Sequence, residues 1–192
     1  MSLSHILLGL LARPASGYEL KKRFEQQERH YWSANLAQIY PTLKRMERDG
    51  LLQSHREASP KGPPKTVYRR TPKGTEALTR WLERGPEVHS DRLSWLAQVG
   101  YLHHLPPDRQ RRFMKRLRDE FIRHRRELEG IEAGWAASDP RFPDALPDDE
   151  LFAHFTLRLG LRKYTTIVEW CEDCLARLDR RRGETDSTPA PD

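Results

Sequence analysis

Four polar residues whose side chains can read DNA bases recur at spacings of three and four along one short segment. They are Asn35, Gln38, Thr42 and Arg45. On an α-helix, residues at these spacings share a face. Asn and Gln can bond adenine bidentately, Arg can bond guanine, and the Thr methyl can contact a thymine methyl. The pattern predicts a recognition helix that faces base edges in the major groove.

A second set of residues suits the phosphate backbone, which carries charge but no sequence information. Basic side chains attract phosphates, and free N–H groups at a helix N-terminus can bind one. The candidates are Ser16, Gly17, Tyr18, Lys21, Lys22, Lys44, Lys61 and Lys65. For any single member of either set, the alternative is a solvated side chain on an exposed surface. Tyr40 fits two interpretations equally, a ring in the core or a hydroxyl on a phosphate.

Three short helices are expected to position these residues. Apolar residues fall at helical spacing over residues 3–11, and Pro14 ends that helix. Ser16 and Glu19 have the spacing of a capping box that opens the second helix. The third helix is expected to begin near Ser33 or Asn35 and to stop at Asp49-Gly50. Its predicted core stripe is Leu36, Ile39, Tyr40, Leu43 and Met46. Pro41 lies inside this pattern, so it should cost a hydrogen bond and bend or locally open the helix.

A two-stranded hairpin and a fourth helix are predicted to follow. Residues 51–57 and 66–70 have strand character, and a loop rich in Pro and Gly over residues 59–65 separates them. Thr71 is expected to cap a helix that begins at Pro72 and runs to about Leu82. Three helices followed by a hairpin give the order of a winged helix-turn-helix domain, in which the hairpin is the wing.

The residues beyond Gly85-Pro86 are expected to form long helices. One is predicted from about Asp91 to His104, and the next carries the a/d spacing of a coiled coil. The last helix, from about Asp148 to Arg181, is apolar over so wide an arc that a second subunit is the natural cover. The predicted dimer interface comprises Met114, Leu117, Phe121, Leu128, Ile131, Trp135, Phe155, Tyr164, Ile167, Val168, Cys171, Leu175 and Leu178.

Two further groups of residues in this half have competing interpretations. Trp95, Tyr101 and Trp170 are either ordinary core or the lining of an aromatic effector pocket. Cys171 and Cys174 are either small packing residues or a metal- or redox-sensing pair, although a structural zinc site would need further ligands. No metal site or cofactor is predicted, and no catalytic motif is present, so the sequence does not predict an enzyme.

The overall composition favours a polyanionic partner. The 192 residues carry a net charge of +6, with 32% charged and only 36% hydrophobic residues. This composition favours extended helices over one large core. Two cysteines are too few for a disulfide scaffold, and no apolar run could span a bilayer, so a cytoplasmic protein is expected.

Several segments resemble the PadR family of transcriptional regulators. They are residues 17–22, 38–47 and 50–52, the hairpin and its exit over 62–74, and residues 159–175, which are similar to the helical C-terminal domain of longer members. The resemblance implies a homodimer that represses genes by occupying operator DNA and is often released by a small effector. Ser16 departs from the family pattern, in which many members carry His.

These observations predict a mainly α-helical protein with three regions. Residues 1–85 would form the winged helix-turn-helix domain, 86–182 a helical dimerisation and effector-binding domain, and 183–192 a disordered tail. The expected function is sequence-specific binding of double-stranded DNA by a homodimer that represses transcription until a small effector binds. The alternatives are a winged-helix adaptor between proteins and a metal- or thiol-responsive sensor that uses Cys171 and Cys174.

Overall fold

The computed structural model describes residues 3–27, 36–59, 62–86, 88 and 92–186. The chain divides into two compact units, Met1–Ser90 and Asp91–Asp192. The fold is mainly helical with a small three-stranded sheet, so the predicted fold class is confirmed. Within the described residues, no helix combines the length and apolarity that crossing a bilayer requires.

The described part of the N-terminal unit contains four α-helices and the sheet. The helices are α1 (Leu3–Leu10), α2 (Gly17–Gln27), α3 (Ile39–Arg48) and α4 (Pro72–Glu83), and the strands are β1 (Ala15–Ser16), β2 (Leu52–Ser59) and β3 (Gly62–Arg70). The sheet is antiparallel in the order β1-β3-β2. The two-residue β1, which the sequence did not predict, pairs with Val67 and Tyr68 of β3.

The predicted caps of two helices are confirmed. The Ser16 backbone N–H donates to Glu19 Oε2 (2.7 Å), and the Glu19 N–H donates to Ser16 Oγ (3.3 Å), as a capping box requires. Thr71 Oγ1 accepts from the Gly74 N–H (3.1 Å) at the start of α4. Because each cap involves residues three apart in sequence, it could be predicted locally.

The third helix begins differently from the prediction. A 3₁₀ turn (Leu36–Gln38) precedes α3, so Pro41 lies in the first turn of the α-helix. The N–H groups of a first turn have no partner within the helix, and a proline there removes no hydrogen bond. The predicted loss of a bond at Pro41 was therefore wrong. The proposed starts at Ser33 and Asn35 lie outside the described residues.

The wing strands are longer than predicted. β3 begins at Gly62 rather than Thr66, and Glu57 pairs with Lys65 while Ser59 pairs with Gly62. Only Ala58 therefore lies opposite Pro63 and Pro64. A β-bulge accommodates two prolines that cannot donate to the ladder.

One core holds the N-terminal unit together. Apolar side chains of α1, α2 and α3 meet residues of the sheet, and several are completely buried. The cluster comprises Ile6, Leu7, Leu8, Leu11, Ala15, Leu20, Phe24, Ile39, Leu43, Met46, Leu52 and Tyr68. Leu20 and Phe24, four residues apart on α2, form the buried face of that helix.

The C-terminal unit is dominated by two long antiparallel helices. They are α6 (Pro107–Ser138) and α7 (Asp148–Asp186), preceded by α5 (Ser94–Gly100) and a 3₁₀ turn (Leu102–His104). Arg111 pairs with Asp179 (2.8 Å) near one end of the hairpin, and Glu132 pairs with Arg158 (3.2 Å) near the other. The helix predicted over residues 91–104 is shorter than expected. α7 continues to Asp186, past the predicted start of the tail at Gly183, and residues 187–192 lie outside the described part.

Candidate nucleic-acid interface

The outward face of α3 differs from the predicted one. Ile39, Leu43 and Met46 are buried, as expected, but Thr42 is also buried, with only 8% of its surface exposed. Thr42 therefore belongs to the core side and cannot touch a thymine methyl from this position. By helical geometry, Lys44 and Arg48 lie opposite the core, and both are exposed.

Sequence reasoning missed Arg48. The available signal was its spacing of four from Lys44, which places both cations on one face. The predicted outward face of α3 was rotated about the helix axis because Tyr40 was included in the core stripe. In the structure Tyr40 is 50% exposed and lies outside the core cluster. The core interpretation of Tyr40 is therefore wrong, and contact with a phosphate stays a prediction.

The flank of α3 that carries Tyr40 is fixed to the start of α2 and to the sheet. A Cβ on Gly17 would overlap the Tyr40 ring, so only glycine permits this approach. Farther along, Glu47 accepts a hydrogen bond from the Ser54 hydroxyl (2.6 Å) on β2. Burial, followed by the charge of Glu47, raises the pKa of Tyr68. These contacts hold α3 in a set position against the start of α2 and strand β2.

The other flank carries Gln38 and Arg45. Gln38 is exposed, and its side chain makes no capping hydrogen bond, so it is available to a base. Arg45 is exposed, but its Nη2 donates to Ser4 Oγ of α1 (3.1 Å). This contact uses one of the five N–H donors of Arg45 and ties its guanidinium to α1. The fourth predicted reader, Asn35, lies outside the described residues.

The N-terminus of α2 offers fewer free amides than predicted. The capping box uses the N–H groups of Ser16 and Glu19, and Ser16 itself is buried. Hydrogen bonds from the backbone and the side chain of Ser16, joined by the charge of Lys65, hold the pKa of Glu19 below its ordinary value. Gly17 and Tyr18 follow the cap, and Tyr18 is 71% exposed. On the same helix Lys22 is exposed and Lys21 is half-buried.

The described part of the wing presents a different cation from the predicted one. Lys65 pairs with Glu19 (3.4 Å) and Glu57 (3.8 Å), so its charge is already compensated. Along a strand, side chains alternate between the two faces of the sheet. Arg56 therefore shares a face with Ser54, the partner of Glu47 on α3, and it is exposed. Lys61 lies outside the described residues.

In the C-terminal unit, most of the predicted dimer seam is covered within the chain. Met114, Phe121, Leu128, Val168 and Cys171 are buried, since α6 packs along α7. Leu175 is likewise buried, and the half-buried members are Leu117, Ile131, Trp135, Tyr164, Ile167 and Leu178. The coiled-coil spacing was real, but its partner is the other helix of the same hairpin. The six buried residues are therefore not available to a second subunit.

The apolar surface left open on α7 lies elsewhere. Phe152, Phe155 and Leu159 are between 55% and 68% exposed and fall at spacings of three and four. We call these three residues the α7 apolar stripe. Phe155 is the one member that was among the predicted interface residues. An open cleft of about 800 Å³ adjoins the stripe, and the buried His154 lines it.

Five aromatic residues gather between α5, α6 and α7. Trp95 contacts Phe121 (ring centroids 5.2 Å apart) and Trp170 (6.1 Å), and Phe121 contacts Tyr164 (5.7 Å) and His124 (6.0 Å). We call this group the aromatic cluster.

Tyr101 does not contribute to that cluster. It is 67% exposed, and its ring contact is with His103 (6.5 Å). The prediction therefore placed two of its three aromatic residues, Trp95 and Trp170, at one site, and was wrong about the third.

Comparison with known proteins connects the two units to one family. Residues 6–80 match the model of the transcriptional regulator PadR-like family, and residues 92–179 match that of the virulence activator alpha C-terminal domain. The two matches together span both units. The chain is a PadR-family transcriptional regulator.

Its relatives include proteins of known structure. A probable transcriptional regulator of Mycobacterium tuberculosis is 28% identical over 95% of this chain and 100% of its own length. The negative transcriptional regulator PadR of Bacillus subtilis is 26% identical over 93% and 98%. Its structure in complex with operator DNA matches with a TM-score of 0.79 at 24% identity, covering 91% of this chain and 97% of that one.

Two further similar structures are a complex with a small molecule and an activator. The same Bacillus subtilis protein in complex with p-coumaric acid matches with a TM-score of 0.73 at 24% identity, over 92% and 95% of the two chains. The Vibrio cholerae virulence activator AphA matches with a TM-score of 0.72 at 25% identity, over 94% and 99%.

In this PadR-family chain, the cysteine pair has the properties of packing residues. Cys171 is fully buried, and burial raises the pKa of its thiol to about 11. Burial also raises the pKa of Cys174. A thiol must lose its proton to bind a metal or react, so both are disfavoured. Among the described residues, no three His, Cys, Asp or Glu side chains lie close enough to hold a metal ion.

Proposed function

We propose that this PadR-family regulator is a homodimeric repressor that occupies operator DNA and leaves it when a small aromatic effector binds. DNA-binding transcriptional regulation follows from the family. The observation that carries the proposal is the outer surface of α3, where exposed Lys44, Arg48 and Gln38 surround the part opposite the core. This arrangement is what a recognition helix needs to reach both base edges and phosphates.

In this proposal the residues of α3 divide into two roles. Gln38 reads a base, since its side chain is exposed and uncommitted. Lys44 and Arg48 contact phosphates, together with the amides at Gly17 and Tyr18. Arg45 supports the helix through Ser4, and Lys65 supports the wing through Glu19. Arg56 replaces Lys65 as the wing contact.

The DNA roles can be tested by titrating variants against an operator selected from genomic fragments and against random duplex. Gln38→Ala should weaken operator binding by about 5- to 150-fold for each half-site, the equivalent of roughly 1–3 kcal/mol per base contact, and leave random duplex nearly unaffected. Lys44→Gln and Arg48→Gln should weaken both and flatten the salt dependence. Gln53→Ala is the matched control, because Gln53 is exposed on the sheet face opposite to Ser54 and Arg56. Equal effects at Gln38 and Gln53 would contradict the assignment.

The α7 apolar stripe supports the homodimer. Three large apolar side chains at helical spacing form a contiguous patch, and such patches commonly mark a protein interface. A second copy is the proposed occupant, because the two half-sites of an operator match a protein with twofold symmetry. In this proposal the stripe replaces the covered seam as the subunit interface.

Repression and its release are proposed from the named relatives and the aromatic cluster. Bacillus subtilis PadR is a negative regulator, and one of its structures contains p-coumaric acid. The half-buried Trp95 and Trp170 give this chain aromatic surface on which a planar ligand could stack.

Release can be followed by adding aromatic carboxylates, p-coumaric acid first, to the protein–operator complex. Transcription from a reporter should fall when the protein is present and recover with the ligand. Trp95→Leu should abolish recovery while operator binding persists. Trp81→Leu is the control, since Trp81 belongs to the N-terminal unit and stacks on His5. Increased transcription without any ligand would indicate an activator instead.

A further inference from the structure

The charges of the C-terminal hairpin are strongly separated along its length. Residues 107–126, the first part of α6, hold nine Arg and Lys against three Asp and Glu, a net charge of +6. Residues 127–158, which include the loop and the start of α7, hold two Arg against eight Asp and Glu, a net charge of −6. The modest net charge of the whole chain conceals this polarity.

Ion pairs within the chain neutralise only part of the basic segment. Arg118 pairs with Asp119 (2.7 Å), Arg123 with Glu120, and Arg125 with Glu129 (3.3 Å). Arg111 pairs with Asp179 of α7. The acidic side chains near the middle of α6 are therefore already occupied.

Four cations near the beginning of α6 are left without an ion pair to any residue that the structure describes. They are Arg109, Arg112, Lys115 and Arg116, and all four are exposed. Arg109, Arg112 and Arg116 follow one another at spacings of three and four, and Lys115 lies next to them. We call these four residues the α6 basic stripe. They lie on the side of α6 away from the buried Met114 and Phe121.

The stripe is in an unfavourable place for the stability of the helix. The N-terminal end of a helix carries partial positive charge, so acidic residues stabilise it and basic residues oppose it. Asp108 is the one acidic residue in the first turn, whereas Arg109, Arg111 and Arg112 crowd the first two turns. Mutual repulsion among the four stripe residues adds to this cost. An external polyanion would relieve both.

We propose that the α6 basic stripe binds the phosphate backbone of double-stranded DNA without reading its sequence. Arg109 and Arg116 are seven residues apart, about 10 Å along the helix axis, a length over which a duplex presents roughly six phosphates. The stripe contains no aromatic residue that could stack on a base and no apolar residue that could enter a membrane. The inference rests on the DNA binding of the family, and it adds a second contact surface in the C-terminal unit.

The test compares two double variants of the full chain that lose the same charge. In Arg112→Gln with Arg116→Gln, two unpaired cations are removed. In the control, Arg123→Gln with Arg141→Gln, two cations paired with Glu120 and Asp139 are removed. Binding to the selected operator and to random duplex is titrated at several salt concentrations. Helical content and oligomeric state are measured for each protein, and Gln keeps the helix propensity close to that of Arg.

The stripe variant should bind both duplexes more weakly by the same factor. Its plot of log affinity against log salt should be shallower by about 3.6 for the proposed dimer, since each of the two subunits loses two phosphate contacts and each contact removes about 0.9. The control should retain the slope of the unmodified protein. Equal slopes for the stripe variant and the control would overturn the inference. Loss of binding to phosphatidylserine vesicles with no change on DNA would also overturn it, by assigning the stripe to lipid.

The variant Lys44→Gln with Arg48→Gln separates this inference from the proposed function. If that variant loses operator binding while the stripe variant does not, only the role of the stripe is wrong. If the stripe variant loses binding to both duplexes while Lys44→Gln with Arg48→Gln retains it, the stripe is supported and the recognition role of α3 is wrong.

Discussion

The two units solve the problem of burying apolar residues in different ways. The N-terminal unit gathers twelve buried residues into one cluster around which all its helices and strands are arranged. The C-terminal unit distributes smaller clusters along a hairpin and leaves Phe152, Phe155 and Leu159 open. A small unit with one closed core can bury its apolar side chains by itself. A long helical hairpin has a large surface for its volume and leaves some apolar side chains exposed. The difference is the reason for proposing that a second subunit covers part of the C-terminal unit but not the N-terminal unit.

The largest expected effect tests whether the α7 apolar stripe holds two subunits together. Phe152→Ser with Leu159→Ser removes two apolar side chains, each counted twice in a symmetric interface. The dimer should weaken by about 3 kcal/mol or more, which is over a hundredfold in Kd. Sedimentation or solution scattering over a range of concentrations would measure it.

The matched control for that prediction is Tyr101→Ser with Leu105→Ser, which changes two exposed apolar residues of the same unit. It should leave the dimer intact. Equal dissociation of both variants, or a monomeric unmodified protein, would remove the proposed difference between the units.

A smaller effect is expected from a pair of glycine substitutions with opposite signs. A Cβ on Gly74 would overlap the backbone carbonyl oxygen of Leu51, which also accepts from the Thr71 N–H (3.1 Å). Gly74→Ala should therefore lower the free energy of unfolding of the N-terminal unit by roughly 1–3 kcal/mol. Gly134 lies within α6, and a Cβ there would have nothing within 4 Å. Gly134→Ala should raise stability by about 1 kcal/mol through helix propensity.

Denaturant unfolding followed by circular dichroism measures both changes. If Gly134→Ala were also destabilising, that face of α6 would be covered by another surface. The interface proposed for the C-terminal unit would then have to extend from the α7 apolar stripe to this face of α6.

The smallest predicted effect concerns the capping box and depends on pH. Because the pKa of Glu19 is lowered in the folded chain, its ionised form stabilises the fold above its unfolded value, near 4.5. That contribution is lost as pH falls through the native pKa. A glutamine side chain can still accept from the Ser16 N–H, so Glu19→Gln removes only the charge. It should therefore cost roughly 0.3–1 kcal/mol at neutral pH, because solvent screens this exposed carboxylate, and progressively less below pH 4.5. Unfolding at several pH values should show the two proteins converging in acid.

Glu76→Gln is the control for the pH series. Its exposed pair with Arg80 (2.9 Å) is an ordinary helical ion pair, worth about 0.3–0.5 kcal/mol. A pH dependence at Glu19 no larger than at Glu76 would argue that the capping box contributes little beyond surface charge.

Local features of the fold could be predicted, and features that depend on a partner element could not. The capping box at Ser16 and the cap at Thr71 need only residues three apart. The burial of Thr42, in contrast, depends on where the whole helix faces, and assigning Tyr40 to the core shifted that face. The seam through Met114 and Phe121 was visible as a period. An apolar repeat shows that one face of a helix is buried, but not whether the surface that buries it belongs to the same chain.

The bulge in the wing has a consequence for solubility. β1 pairs only with Val67 and Tyr68, so no other described strand lies along the second edge of residues 62–66 of β3. An open edge can recruit strands from other molecules and start aggregation. Pro63 and Pro64 have no N–H group to offer such a strand, and the charged Lys65 follows them. The residues that force the bulge therefore also keep the exposed hairpin from pairing with other copies when the protein is concentrated.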